Sequence, residues 1–381
     1  MDLTRRHLLT LTAGGIVGLT ALPFTPAFGA SPGTAARYLG VRRLGDGRVR
    51  PYSFAACAAD ADGRILREVP LPARGHGFAR HPSGRVGVAM ARRPGTFAVA
   101  FELEGDVPPV TFHTPKDRHF QGHGVFEPEG RYLFATENDF EGERGCLGIY
   151  DSADGYKRVG EVPSHGVGCH ELVLMPDGKT LAVANGGILT HPASGRAKLN
   201  IPTMAPSLAY VDLASGELMD KAEYTAGRKS KLSIRHLAAT PDGRIVFACQ
   251  DQGDTADGLD LVAMHRPGSG GLEEWPAPEG LTQGLAGYCG SVAVNTAGTL
   301  AAVSAPRGNR VLFWDTTTGK FAATLRLTDG CGIAPGPDAD SFVLTSGLGA
   351  FMVGGPEGAE MHRPSRHAAA PWDNHLVRLG A

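Results

Sequence analysis

Residues 122 to 139, GHGVFEPEGRYLFATEND, decide the fold. His123 stands between two glycines, a Pro-Glu-Gly turn follows at 128–130, and an alternating apolar run then ends in Glu137 and Asn138. Related strings recur as GHGFARHPSGRVGVAMARR (75–93), GCHELVLMPDGKTLAVANGG (168–187) and IRHLAATPDGRIVFACQDQ (234–252). Their turn glycines fall at Gly84, Gly130, Gly178, Gly243 and Gly298, so the spacings are 46, 48, 65 and 55 residues. A period in the forties with excursions is one supersecondary unit repeated with insertions.

Within each unit the segment after the turn alternates at every second position, as in RVGVAMA, RYLFATE, TLAVANG, RIVFACQ and TLAAVSA. That period is a strand's, not a helix's. A second marker, Asp-x-x-x-Gly, closes units at Asp151–Gly155, Asp212–Gly216 and Asp315–Gly319. An Asp side chain bonds the backbone two residues on and glycine accepts the left-handed position, so these are hairpin turns. Four short strands per unit of about 45 residues describe a β-propeller blade. We expect an all-β, seven-bladed propeller, with six or eight blades left open. PYSFAACAADADGRILREVPL (51–71) and HLVRLGA (375–381) supply strands that close the ring.

Composition agrees. The 53 glycines are about twice the usual ~7% share and, with 27 prolines, mark a chain that turns often. A net charge of −2 offers no basic face to phosphate backbones, so nucleic acid is not an expected partner. Residues 1–30 read as an export signal of twin-arginine type, with Arg5 and Arg6 ahead of a glycine-diluted apolar stretch too short to span a membrane permanently. An ordinary secretory signal is the competing reading. We expect residues 31–50 to be a lead-in and 51–381 a single propeller domain, located in the periplasm, with a loop insertion at about 185–209.

The six cysteines include no C-x-x-C or C-x-x-C-H unit. An oxidising compartment permits pairing, and Cys289 with Cys331 is the expected bridge, because the two occupy similar places in successive repeats.

In a propeller the innermost strand of each blade runs along the central channel, so a repeated place on that strand recurs around the axis. His76, His123, His170 and the pair Arg235–His236 hold that place here. Residues after the next strand supply a second polar layer: Glu137, Asn138, Asn185, Gln250 and Arg307. Neutral imidazoles suit iron, copper or zinc, with a nearby glutamate as ligand or base; iron or copper is the expected metal. The structural alternative is that each histidine only bonds the backbone of a neighbouring blade. His81, His113, His119 and His265 are expected to be solvated. The 66 residues from His170 to His236, against 47 from His123 to His170, place an insertion at 185–212 containing His191, Arg196, Lys198 and Asn200. Such a loop is a candidate lid or partner contact. The sequence contains no G-x-S-x-G elbow, no H-E-x-x-H and no phosphate-binding loop.

The strings ATEND, HELVLMPDG, ANGGILTHPASGRAKLN and SIRHLA, with GYCGSVAVNTAG and SAPRGNRVLFWDTTTG, resemble the bacterial family catalogued as domain of unknown function 1513. The resemblance covers essentially the whole mature chain. It implies a twin-arginine-exported periplasmic seven-bladed propeller, often encoded beside imelysin-type and dihaem proteins, and so a part in iron acquisition or handling with such a protein as partner. More loosely the blades resemble those of WD, YVTN and quinoprotein-dehydrogenase-like propellers, from which no active site carries over. Three functions follow as expectations: a metal-binding protein; a lyase, lactonase or oxidoreductase using the same histidines tuned by Glu137 or Glu171; and a scaffold for an imelysin-like or haem protein.

Overall fold

The computed structural model describes residues 36–45, 53–195, 197–225, 227–361 and 371–380. The signal call on residues 1–30 lies outside them, as does Arg196. No helix among the described residues is long and apolar enough to cross a membrane.

Seven four-stranded sheets form the blades. The first six run from an inner strand outward, with inner strands Gly75–Arg80, Arg118–Phe126, Cys169–Leu174, Leu232–Ala239, Ser291–Val294 and Gly330–Pro335. The closing blade is built from both ends of the chain: inner strand Trp372–Arg378 pairs with Tyr38–Leu44, which pairs with Ser53–Ala59 and then Ile65–Leu71. Tyr38–Leu44 therefore corrects the reading of 31–50 as a lead-in. Tyr38, Leu39 and Val41 are buried, and this apolar content gives the segment a place in the ring rather than in solvent.

Both faces of a blade pack on neighbours, so strands are buried throughout rather than on alternate residues. Tyr132–Asp139 is buried at all eight positions. The core accordingly lies between blades: Phe78, Phe97 and Phe101 of the first blade meet Leu39, Val41 and Val69 of the closing blade. The expected hairpin chemistry is present. Asp315 Oδ1 accepts from the amides of Thr317 at 3.0 Å and Thr318 at 2.7 Å, and Gly319 takes φ 65°.

Two expectations about isolated histidines are corrected. His265 is buried and its Nδ1 meets the Tyr210 hydroxyl at 2.9 Å across two blades. His119 is buried with Nδ1 on the Phe120 carbonyl at 3.0 Å and Nε2 3.3 Å from Asn138 Nδ2. His81 does what the structural alternative describes, bonding the Gly130 carbonyl of the next blade at 2.9 Å.

The disulfide expectation is also corrected: all six cysteines are free and buried. Matching register places in successive blades do not bring two sulfurs together, because each faces its own surroundings. Cys331 Sγ donates to the Asp373 carbonyl at 3.2 Å in the closing blade, whereas Cys289 is buried in the core with Cys249 and Trp275.

Candidate metal centre

Inner strands in a plain pleat alternate between the two faces of their blade. A bulge is needed to turn a side chain to the axis. The ladder register shifts between Gly75 and Phe78, between Phe120 and Gly124, between Cys169 and Glu171, between Ile234 and His236, and at Trp372–Leu376. Each irregularity contains or ends on a histidine: His76, His123, His170, His236 and His375. In the second blade Thr136 fixes the bulge, its hydroxyl accepting from the His123 amide at 3.2 Å and donating to the His123 carbonyl at 3.1 Å.

The five imidazoles form one cluster. Ring centroids lie 4.6 Å apart for His76–His375 and His123–His375, 4.7 Å for His236–His375, 5.0 Å for His76–His123 and His170–His236, and 5.4 Å for His123–His170. The donor atoms of His76, His123 and His170 fall within 4.8 Å of one another, and so do those of His123, His236 and His375.

Two levels explain how five rings fit. His76 and His170 stand six residues before the turn prolines Pro82 and Pro176, whereas His123 and His236 stand five before Pro128 and Pro241. The levels alternate over these four blades, and in the first two glycine fills the places between. A Cβ on Gly122 would come 2.3 Å from His76 Cδ2, and one on Gly77 would come 2.7 Å from His123 Nδ1. In the first two blades the G-H-G pattern is thus the clearance that His76 and His123 need from each other.

Glu171 occupies the upper level between His123 and His236. Its Oε2 accepts from His236 Nδ1 at 2.9 Å and its Oε1 approaches His123 Nδ1 to 3.4 Å. A carboxylate on Nδ1 places that ring's proton there and leaves Nε2 with its lone pair. Burial holds all five rings neutral, aided by neighbouring imidazoles or guanidinium groups and opposed at His123 by the Glu171 carboxylate: His123 and His236 are pushed down to about 3, and His76, His170 and His375 well below their ordinary value. Burial raises the Glu171 carboxyl. Both nitrogens of His76, Nε2 of His123, Nδ1 of His170 and Nε2 of His375 are buried with no hydrogen-bond partner in the protein.

A cavity of about 800 Å³ opens above the cluster toward the turn end of the ring, and His123, Glu171 and His375 are in its lining.

The other expected site residues go elsewhere, for one reason. The second strand lies about 4.8 Å outward from the inner one and its side chains face neighbouring blades, not the axis. Glu137 is fully buried inside the second blade, accepting from the Tyr150 hydroxyl at 2.6 Å and from Arg158 at 2.8 Å. It belongs with Cys146 and Glu161 to a second group of possible donors, but Arg158 bridges the two carboxylates and Arg118 and Arg144 also pair with Glu161. Asn138 donates to the Thr190 carbonyl at 3.1 Å and Asn185 to the Ser164 carbonyl at 2.9 Å. Gln250 pairs with Tyr288, and Arg307 is exposed with its guanidinium over the Tyr288 ring. Arg235 stays beside the cluster, its charge holding down His170 and His236.

The insertion is not a lid on this cavity. It spans 186–206, with Ser207 opening the next strand, and packs on the end where inner strands begin. Lys231 Nζ of the next blade donates to the Ile201 carbonyl at 2.7 Å, Lys198 bonds Gln252, and His191 Nε2 lies 3.6 Å from Glu141. Asn200 braces the loop from within, accepting from the Leu189 amide at 2.7 Å.

Sequence reasoning missed His375 as a member of the cluster. The signal was present: DNHLVRL repeats the His-apolar entry of IRHLAA, but no turn proline follows it to fix its level.

A family model described as "Protein of unknown function (DUF1513)" matches residues 69–379. No curated protein matches the chain. Among solved structures the chain is similar to Kuenenia stuttgartiensis hydrazine synthase, with a TM-score of 0.59 and 14% identity over 82% of this chain and 92% of that one. A likeness at that identity bears on the fold alone.

Proposed function

The chain belongs to the DUF1513 family, and on that footing we propose that it is a metal-binding propeller whose axial histidine cluster holds one first-row transition ion, copper(II) or iron(II). The observation that carries this reading is the axial cluster of five buried imidazoles, whose donor atoms form two groups of three sharing His123, with five ring nitrogens left without a hydrogen-bond partner in the protein. Each such atom costs on the order of 1–3 kcal/mol when left unmade, and an ion held by His123, His236 and His375 satisfies two of them, His123 Nε2 and His375 Nε2. The donor set supports the choice of ion: all-imidazole, with no thiolate, suits copper, iron or zinc rather than calcium or magnesium. His123, His236 and His375 are the ligands assigned to the ion, with His76 and His170 on its far side. Glu171 orients His123 and His236 rather than binding the metal, since both its oxygens face ring nitrogens. Export by the twin-arginine route and work in periplasmic iron handling complete the proposal, resting on the sequence of residues 1–30 and on the family resemblance.

The test is equilibrium loading of chelator-stripped protein with copper(II) or iron(II), followed by removal of excess. About one ion per chain is expected, and His123→Ala, His236→Ala and His375→Ala each lower retention. Wild-type protein that retains neither metal would overturn the reading.

A further inference from the structure

We infer that the metal keeps one coordination position open to the axial cavity, and that this cavity takes a small ligand with an apolar body and one uncharged donor atom. The inference rests on the metal-binding reading above and adds to it what the site is for.

The floor of the cavity decides the first half. His123, His375, Glu171 and Ser291 line it, whereas His76, His170 and His236 do not. Of the three assigned ligands only His123 and His375 reach the cavity, and no other imidazole of the cluster lines it, which leaves the ion a side turned to the cavity. Sites closed on all sides by protein ligands are structural; a site with a position turned to a cavity takes an external ligand. At about 800 Å³ the space falls within the ~300–1,000 Å³ of small-molecule pockets.

The wall decides the second half. Above the histidines the inner strands present Val125, Val173, Ala238, Val292 and Val377, all partly exposed to the cavity. Charged side chains appear at its rim, and they are engaged. Arg378 Nη1 donates to Thr296 Oγ1 at 2.8 Å, Arg80 Nη1 reaches the Gly380 carbonyl at 3.4 Å, and Glu127 Oε1 accepts from the Tyr132 amide at 3.0 Å. The carboxylate in the floor, Glu171, is already on two rings. Below the rim, a charged ligand loses hydration against the valine and alanine wall with no charged side chain there to replace it. An apolar body gains by the same burial.

The experiment uses full-length protein loaded with copper(II) and titrated with imidazole, 4-phenylimidazole and azide, reading the visible ligand-field band. 4-Phenylimidazole is expected to shift the band and to bind at least about tenfold more tightly than imidazole, with azide weakest. Val173→Asp and Val292→Asn are each expected to weaken 4-phenylimidazole about tenfold or more while copper content is unchanged. A variant that still loads copper has kept its fold, which separates wall effects from misfolding. A loaded protein whose spectrum ignores all three probes overturns the open position, and tightest binding by azide overturns the apolar selectivity. Failure to load either copper(II) or iron(II) instead overturns the metal-binding reading, and this inference with it.

Discussion

Glu171 Oε2 accepts a hydrogen bond from His236 Nδ1 at 2.9 Å, and this single contact fixes which nitrogen of His236 can meet a metal. The same carboxylate lies 3.4 Å from His123 Nδ1. Two ligands from two blades are thus oriented by one residue of the blade between them. Glu171→Gln keeps the shape but can match only one ring proton with its single acceptor oxygen. Metal affinity is expected to fall by about 10–100-fold with stoichiometry unchanged, measured by competition against a chelator. Equal affinity in the variant would show that Glu171 does not orient the rings.

Gly122 makes the cluster possible. It sits at φ 115°, and a Cβ there would stand 2.3 Å from His76 Cδ2. Gly84 also has positive φ, at 69°, but open space around it. Gly84→Ala is expected to cost about 1 kcal/mol, the backbone penalty alone. Gly122→Ala adds displacement of a buried ring and is expected to cost about 3 kcal/mol or more. Denaturant midpoints measure the difference, and equal losses would place His76 away from Gly122.

Acid should unfold the metal-free protein early. Unfolded imidazoles protonate near 6.5, while burial pushes His123 and His236 down to about 3 and the other three lower than their ordinary value. The unfolded chain therefore binds more protons below that point. The stability these groups contribute is complete above about pH 6.5 and is lost as pH falls from there toward 3, at up to about 1.4 kcal/mol per pH unit for each ring. Glu171, raised by burial, acts in the opposite sense as pH rises above the ordinary carboxylate range, as one group against five. Denaturant midpoints in chelator are expected to drop steeply between about pH 6.5 and 5. A flat profile over that range would contradict the buried neutral cluster.

The cysteines give an independent check on the described fold. All six are free and buried. Thiol reagent added to native, unreduced protein should find none of them, and added in denaturant should find all six. Four thiols in denaturant would restore a bridge.

The propeller was legible because its evidence is local. Turn glycines at a steady period, Asp315 ahead of Gly319, and alternation in RYLFATE each report on a few neighbouring residues. Four of the five clustered histidines were legible for the same reason, since repetition along the chain becomes repetition around the axis. Glu137, Asn138 and Asn185 were misplaced because their strand is second from the axis, and a one-strand offset turns every side chain to a neighbouring blade. The Cys289–Cys331 pairing failed because equal register is not proximity. The role of Glu171 was partly visible as an acid beside His170. That it serves His123 and His236 instead depends on a bulge at His170 that shifts it by one place, which no spacing in the sequence displays.

X-ray absorption fine structure on copper-loaded full-length protein tests the central claim most directly. The account predicts a nitrogen shell at about 2.0–2.1 Å with the outer-ring scattering of three or more imidazoles, reduced in His123→Ala and His236→Ala. An oxygen-dominated shell without imidazole scattering, or a wild-type spectrum unchanged by those substitutions, would contradict it.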